Sequence, residues 1–478
     1  MAYEDYEIVI GLETHVELST KTKIFCNCST EFGGEPNSHC CPVCLALPGA
    51  MPVLNEKVVE YAVKAGLATN CKIPNYTWQN RKNYFYPDMP PAYQVSQTEE
   101  FICQEGYVEI ETENGPKKIA IHEIHIEADA GKLVHGEYTN NSLVDLNRAG
   151  VPLIEIVTDP DLRSAAEVES YLRNLKAILE YVEVSDCKMQ EGSMRADINL
   201  SVRKKGDTKL GNRTEMKNMN SFKFIVKGIE YEARRQIELL EEGKEVVSET
   251  VRWDELMQAS VPMREKDSAA YRPFPDPELM PIELTDEYIE NIRKSLPELP
   301  EVRKKRYIEE YKLPEYDATL ITNSKQLCNM FEGAVAVCNN PKAVSNWIMT
   351  DITKVLNDKE LEPSEIPFTA GDLGKLITLI DKGTISTSIG KKVLDEMFSE
   401  PKDPNKIIEE KGWVQISDEG AIKEVVVKIL EANPQSIADY RAGKDKALGF
   451  LVGQAMKETK GKANPQMLNT MFLDELNK

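Results

Sequence analysis

The stretch EIVIGLETHVEL, Glu7 to Leu18, alternates so strictly that it constrains the fold more than any other part of the chain. Ile8, Ile10, Leu12, Thr14, Val16 and Leu18 fall on one side of an extended backbone, and Glu13, His15 and Glu17 on the other, because successive strand side chains point to opposite faces. The pattern returns in IAIHEIHIEADAG, where His122, Ile124, Ile126 and Ala128 oppose Glu123, His125, Glu127 and Asp129. In SMRADINLSV, Met194, Ala196, Ile198, Leu200 and Val202 oppose Arg195, Asp197 and Asn199, and NRTEMKNMNS adds Arg213, Glu215 and Lys217 on one face. A single strand of this kind is an ordinary sheet with one wet side. Four of them, with Glu, His, Asp, Asn and Arg in place of Thr, Ser and Lys, describe a sheet with one face for a core and one for a charged ligand. Carboxylates with an imidazole suit Mg²⁺, and interleaved Arg and Lys suit phosphate. No G-x-x-x-x-G-K-[ST] loop is present, so the expectation is a metal-bound nucleotide held without a P-loop.

Just after the first strand, CNCSTEFGGEPNSHCCPVC (Cys26 to Cys44) holds five of the 10 cysteines. Cys26 and Cys28 form C-x-C, and Cys41 and Cys44 form C-x-x-C, with Gly33, Gly34, Pro36 and Pro42 to turn the loop. Two close pairs bridged by a loop deliver the tetrahedron that Zn²⁺ requires. Cys40 and His39 are substitutes, although adjacent ligands strain a chelate. Four thiolates leave no open coordination position, so Cys26, Cys28, Cys41 and Cys44 are expected to hold a structural Zn²⁺. Cys71, Cys103, Cys187, Cys328 and Cys338 are scattered and read as small apolar groups.

With 478 residues the chain has room for several domains, and its net charge of -21 argues against nucleic-acid binding over the whole surface. The five histidines all lie in the first 135 residues, which places the chemistry near the N-terminus. No apolar run reaches membrane-helix length and MAYEDYEIVI lacks a signal pattern, so a cytoplasmic protein without a membrane partner is expected. SAAEVESYLRNLKAILEYV predicts a helix with a Ser164/Glu167 capping box and an apolar stripe of Val168, Tyr171, Leu172, Leu175, Ile178, Leu179 and Val182. A second long helix is expected after Ser221, ending near Gly243, whereas YRPFPDPELMP is too proline-rich for a regular element. Helical patterning takes over around Pro297 and Pro300 and breaks again at Pro401 to Pro404. The predicted organisation is an α+β body over 1–294, a helical domain over 295–404 and a small helical tail over 405–478.

GLETHVEL, the cysteine pairs, RKNYFYPDMPPAYQVSQ, HIEADAGK, SLVDLNRAGVPLIEIVT, QEGSMRADINLSV, EMKNMNSF and GKDKALGFLVGQAMKETKGKANPQMLN together closely resemble the B-subunit family of the aspartyl/glutamyl-tRNA amidotransferases, from end to end. The resemblance implies a glutamine-synthetase-like mixed-sheet catalytic body, called the cradle, then a helical domain and a tRNA-binding helical tail. It implies ATP-dependent amidation of misacylated Glu-tRNA(Gln) or Asp-tRNA(Asn) through an acyl phosphate. Ammonia would come from a separate amidase (glutaminase), with a further small protein to complete a heterotrimer; the chain has no amidase pattern of its own. The chain departs from the family pattern at Ala128, at Pro91 and in YRPFPDPE.

On this reading Glu13, His15, Glu127, Asp197 and Glu215 carry Mg²⁺–ATP and activation, with Glu13, His15 and Glu127 as metal ligands. Arg195 and Lys217 face phosphate, and Lys82, Asn83 and Tyr84 are candidates to line the same pocket. In the tail, Lys444, Lys446, Lys457, Lys460 and Lys462 form a basic patch on an acidic protein, expected to contact tRNA. A free-standing ATP-dependent carboxylate–amine ligase would use the same strand faces but would not need this tail. A zinc-bearing adaptor would leave the other charged strands unexplained.

Overall fold

Long strands rich in Val and Ile, broken by turns, favour a broad sheet with one apolar face, and the computed structural model has that sheet. It describes residues 3–136, 141–219, 221–263, 271–359, 361–413, 419–441, 446–459, 463 and 465–476. The chain divides into two compact units, Met1–Pro300 and Glu301–Lys478.

In chain order the strands of the first unit are β1 (Tyr6–Glu17), β2 (Tyr76–Thr77), β3 (Asn80–Asn83), β4 (Tyr93–Ser96), β5 (Cys103–Thr112), β6 (Gly115–Ala128), β7 (Lys132–His135), β8 (Ser142–Asp145), β9 (Pro152–Thr158), β10 (Met194–Lys204), β11 (Thr214–Met219), β12 (Glu249–Asp254), β13 (Ala259–Pro262), β14 (Phe274–Pro275) and β15 (Ile282–Glu283). Eight of them form one sheet in the order β13-β12-β11-β10-β1-β9-β6-β5. Only β11 and β12 pair in parallel; the other neighbours are antiparallel. The sheet is therefore mixed, and β1 lies at its centre.

Helices α1 (Glu56–Ala68), α2 (Ala165–Tyr181) and α3 (Phe222–Glu241) pack on the apolar side. Ile10, Leu12 and Val16 of β1 join Leu172 and Leu175 of α2 and Ile225 and Ile229 of α3 in one core. The α2 stripe is buried except for the half-buried Ile178. Its N-cap differs from expectation. Ser164 Oγ accepts from Glu167 N at 3.2 Å, but the Glu167 carboxylate accepts from Arg163 N and Lys117 Nζ, both at 2.8 Å. The capping box is thus replaced by an ion pair to β6. Helix α3 starts after the Ser221 cap, as expected. Helix α1 was not anticipated, although Asn55 Oδ1 caps it by accepting from Lys57 N at 2.9 Å.

Two further differences bear on the polar face. A register shift between Ile121 and Glu123, against β9, throws His122 out of the alternation. Its side chain is exposed, 3.3 Å from Asp159, instead of facing the core. The proline-rich stretch also contributes a strand: Phe274 and Pro275 pair with Arg81 and Asn80, completing a small sheet in the order β14-β3-β4. Gln94 of β4 donates to the Ala128 carbonyl at 2.8 Å, which places this small sheet beside the end of β6.

The second unit is helical from Pro300–Glu309 to Pro465–Leu476. Its C-terminal part has its own core, with Ile422, Val426, Leu451, Leu468 and Phe472 buried together. Among the described residues no helix is long and apolar enough to cross a membrane.

Candidate active site

Cross-strand register decides which polar side chains meet. Arg195 of β10 pairs with His15 of β1, His15 with Glu155 of β9, and Glu155 with His125 of β6. One row of the sheet therefore reads Arg195–His15–Glu155–His125. The next row reads Asp197–Glu13–Val157–Glu123, and on the other side Leu153 lies between Glu17 and Glu127. Side chains opposite each other are about 5 Å apart at Cβ, so these rows gather the polar groups on one floor, interrupted by the apolar Val157 and Leu153. A cleft of about 790 Å³ opens over it, lined among others by Glu13, His15, Lys82, Glu127, Asp129, Glu155, Arg195, Asp197, Arg213, Glu215, Lys217, Arg252 and Tyr271.

Two acidic groupings divide the floor. In the first, His15 Nε2 lies 3.4 Å from Glu127 Oε1 and 3.4 Å from Glu155 Oε2. Lys82, reaching in from β3, is 3.5 Å from Glu127 Oε2. Burial works to lower the His15 pKa, but Glu127 and Glu155 outweigh it and hold the imidazolium up to about 10. Burial likewise works to raise Glu127 and Glu155, and His125 and His15 outweigh it, keeping both carboxyls well below their ordinary range. In the second grouping, Glu13, Asp197 and Glu215 bring their oxygens within 4.8 Å of one another. Lys217 Nζ sits among them, 2.8 Å from Glu215 and 3.4 Å from Asp197. Asn199 donates to Glu13 at 2.9 Å. Burial, then the charge of Glu155, raises the Glu13 pKa, and burial raises that of Asp197 despite Lys217.

The donors of His15, Glu127 and Glu155 also lie within 4.8 Å of one another. An octahedral Mg²⁺ with ligands at about 2.1 Å sets its donors about 3.0 Å apart in cis and about 4.2 Å in trans. These three groups fit one such ion. Around them, Arg195 is 3.3 Å from Asp129, which also takes Arg148 at 3.1 Å. Arg195 thus lines the cleft with its guanidinium held by a buried carboxylate.

The cysteine loop is a separate centre. Cys44 Sγ lies 3.9 Å from Cys28 Sγ and 3.9 Å from Cys41 Sγ, and all four sulfurs of Cys26, Cys28, Cys41 and Cys44 fall within 4.8 Å. Tetrahedral thiolates at ~2.3 Å from zinc are about 3.8 Å apart, so the set fits that ion with little movement. Cys40 is not part of the grouping. Hydrogen bonding with Cys26 and, against burial, from the Cys41 backbone holds the Cys44 thiol down to about 4, and the charge of Lys23 adds to this; Lys23 is itself fully buried and donates to the Leu146 carbonyl at 3.1 Å. The loop is tied to the sheet through Gly150, which accepts from Ile24 N and donates to the Asp129 carbonyl. At a φ of +86° and with Phe25 3.0 Å from where a Cβ would stand, this turn admits glycine far better than any other residue.

Comparison with known proteins places the chain. Residues 8–290 match the model of the GatB/GatE catalytic domain, and residues 329–476 match the GatB domain. The chain is 58% identical, over 99% of its length and 100% of the relative's, to the B subunit of the aspartyl/glutamyl-tRNA(Asn/Gln) amidotransferase of Caldicellulosiruptor bescii. It is 57% identical to the protein of that name from Thermoanaerobacter pseudethanolicus, over 99% of this chain and 100% of the relative, and 55% identical to that from Clostridium tetani, over 99% of each. This chain belongs to the GatB family.

Of the residues that sequence reasoning chose in this GatB-family chain, Glu13, His15, Lys82, Glu127, Arg195, Asp197, Glu215 and Lys217 all line the cleft. Glu13 is grouped with Asp197 and Glu215, apart from His15 and Glu127, whose third companion is Glu155. Asn83 and Tyr84 do not line the cleft. The Asn83 amide donates to the carbonyls of Tyr271 and Arg272, and the Tyr84 ring packs 5.9 Å from that of Tyr271, so both support the wall instead of the floor. Glu155 was missed, and its signal is a lone carboxylate inside the apolar run PLIEIVT. In the tail, Lys446 and Lys457 are exposed; Lys444, Lys460 and Lys462 lie outside the described residues.

Proposed function

We propose that this chain is the ATP-using subunit of a tRNA-dependent amidotransferase that converts misacylated Glu-tRNA(Gln), Asp-tRNA(Asn) or both to Gln-tRNA(Gln) and Asn-tRNA(Asn). The observation that carries the reading is the convergence of eight strands' polar side chains in one cleft of a chain belonging to this family. A side-chain carboxylate is a poor acyl donor. An oxygen of that carboxylate attacks the γ-phosphorus of ATP, ADP leaves, ammonia then adds to the acyl carbon, and inorganic phosphate departs. His15, Glu127 and Glu155 would hold Mg²⁺, which when bound supplies charge screening between the phosphates. Arg195, Lys82 and Lys217 present cations to the phosphoryl oxygens, where preset charge stabilises phosphoryl transfer best. Asp129 keeps Arg195 in place, and Asp197 and Glu215 hold Lys217 ready.

In this reading residues 1–294 form a glutamine-synthetase-like cradle, with Zn²⁺ on Cys26, Cys28, Cys41 and Cys44 as a structural clamp. The helical domain over 295–404 leads to a tail over 405–478 whose lysines meet tRNA phosphates. Ammonia is supplied by a partner amidase (glutaminase), and a third, small protein completes a cytoplasmic heterotrimer. Supplying misacylated tRNA, ATP and glutamine to this chain with those two partners should yield amidated tRNA, and omitting this chain or ATP should abolish it. Amidation of a free small acid at a comparable rate would favour the free-standing ligase instead.

A further inference from the structure

His125 is buried on β6 and does not line the cleft. Its Nε2 lies 3.1 Å from Glu155 Oε2 and 3.7 Å from Glu127 Oε2, and its Nδ1 lies 3.5 Å from Glu123 Oε1. The ring rests against Phe101, with centroids 5.8 Å apart, which limits its rotation. Glu155 is therefore flanked in register by two imidazoles, His15 on the cleft side and His125 beyond it.

We propose that His125 is the positioning residue that holds Glu127 and Glu155 side by side as ligands for a divalent cation, an inference that rests on the Mg²⁺–nucleotide reading of the cleft. One imidazole nitrogen can hold a proton or bind a cation, but not both. His15 Nε2 approaches both carboxylates, but once it gives its lone pair to a cation it no longer carries a proton to offer them. The cation then screens the two carboxylates on the cleft side and Lys82 meets Glu127 there, which leaves the side chain of Glu155 to be oriented from behind. His125 contacts the same two carboxylates from behind and has no access to the cleft, so loading the site leaves its contacts in place. An outer-shell partner of this kind commonly accounts for about 10- to 100-fold in metal affinity. A buried histidine that merely fills the core would affect folding and leave cation affinity of the folded protein alone.

The test is Mn²⁺ binding to the full-length chain, followed by the electron paramagnetic resonance signal of free Mn²⁺, with His15→Ala as the reference for loss of a ligand. His125→Leu, and His125→Asn, whose shorter amide falls short of the carboxylates, are expected to weaken binding about 10- to 100-fold while circular dichroism stays native. His125→Gln, which can reach Glu155, should recover part of the loss. If His125→Leu does not fold, His125→Asn decides. Folded variants that bind Mn²⁺ as tightly as wild type, while His15→Ala does not, would overturn the positioning role and leave the site reading intact. Absence of Mn²⁺ binding by the wild type would overturn both.

Discussion

Replacing Glu155 with Gln tests the electrostatics of the floor directly. His15 Nε2 stands 3.4 Å from one oxygen each of Glu127 and Glu155. At that distance and an effective dielectric constant of about 20, each charge pair is worth roughly 5 kcal/mol. The rise of His15 from 6.5 to about 10 corresponds to roughly 5 kcal/mol in total, so burial opposes the two attractions by a similar amount. Removing one carboxylate leaves attraction and burial nearly balanced, and His15 in Glu155→Gln should titrate near ~7. The linkage has a definite sign. In the wild type the charged His15 stabilises the fold fully below 6.5, and that contribution is lost as pH rises through about 10. Glu127 and Glu155, held low, contribute above their ordinary 4.5 and lose that contribution as pH falls below it. Mg²⁺-free wild type should therefore lose stability between pH 6.5 and 10, and Glu155→Gln should lose little over the same span. The assay is a ring-carbon NMR titration of labelled histidine in Mg²⁺-free protein, with His15→Ala assigning the resonance. A His15 that titrates near 10 in both proteins, or near 6.5 in the wild type, refutes the reasoning.

Protein purified without chelator should carry about one zinc per chain, and Cys28→Ser should lower the melting temperature without abolishing ATP-dependent chemistry; a metal-free wild type or a Cys28–Cys44 disulfide would contradict this. Lys217→Ala leaves Asp197 and Glu215 without the ammonium now 3.4 and 2.8 Å away, and should slow ATP-dependent activation by ~100-fold while sparing tRNA binding. Removing residues 405–478 should raise the KM for tRNA, and the full chain's tRNA affinity should fall steeply with salt; equal affinity with and without the tail in a filter-binding assay would assign the tail another role.

The faces of β1, β10 and β11 were legible because alternation depends only on an extended backbone. Thr14, Ala196 and Met216 point into the core, while Glu13, Asp197 and Glu215 point into the cleft. Alternation fails where register slips, and the shift at His122 has no sequence mark. Glu155 escaped notice because PLIEIVT reads as a strand buried on both faces. What makes Glu155 central is its register against His15 and His125, a long-range fact of sheet order. Asp129 and Arg213 could be placed on polar faces, but their partners could not be chosen before the strands were ordered. The convergence of the four cysteine sulfurs was legible because two close pairs bridged by a loop carry their own geometry. Helix α1 follows that loop behind a visible Asn55 cap and was overlooked for want of a longer apolar stripe.

Glu127 and its neighbours are expected to serve the step in which ATP activates the aminoacyl carboxylate. ADP release that depends on misacylated tRNA, measured with glutamine and ammonia withheld, isolates that step. Wild-type complex should show it, and Glu127→Gln, with tRNA binding intact, should show it at least ~100-fold more slowly; equal rates in the two proteins would contradict the account.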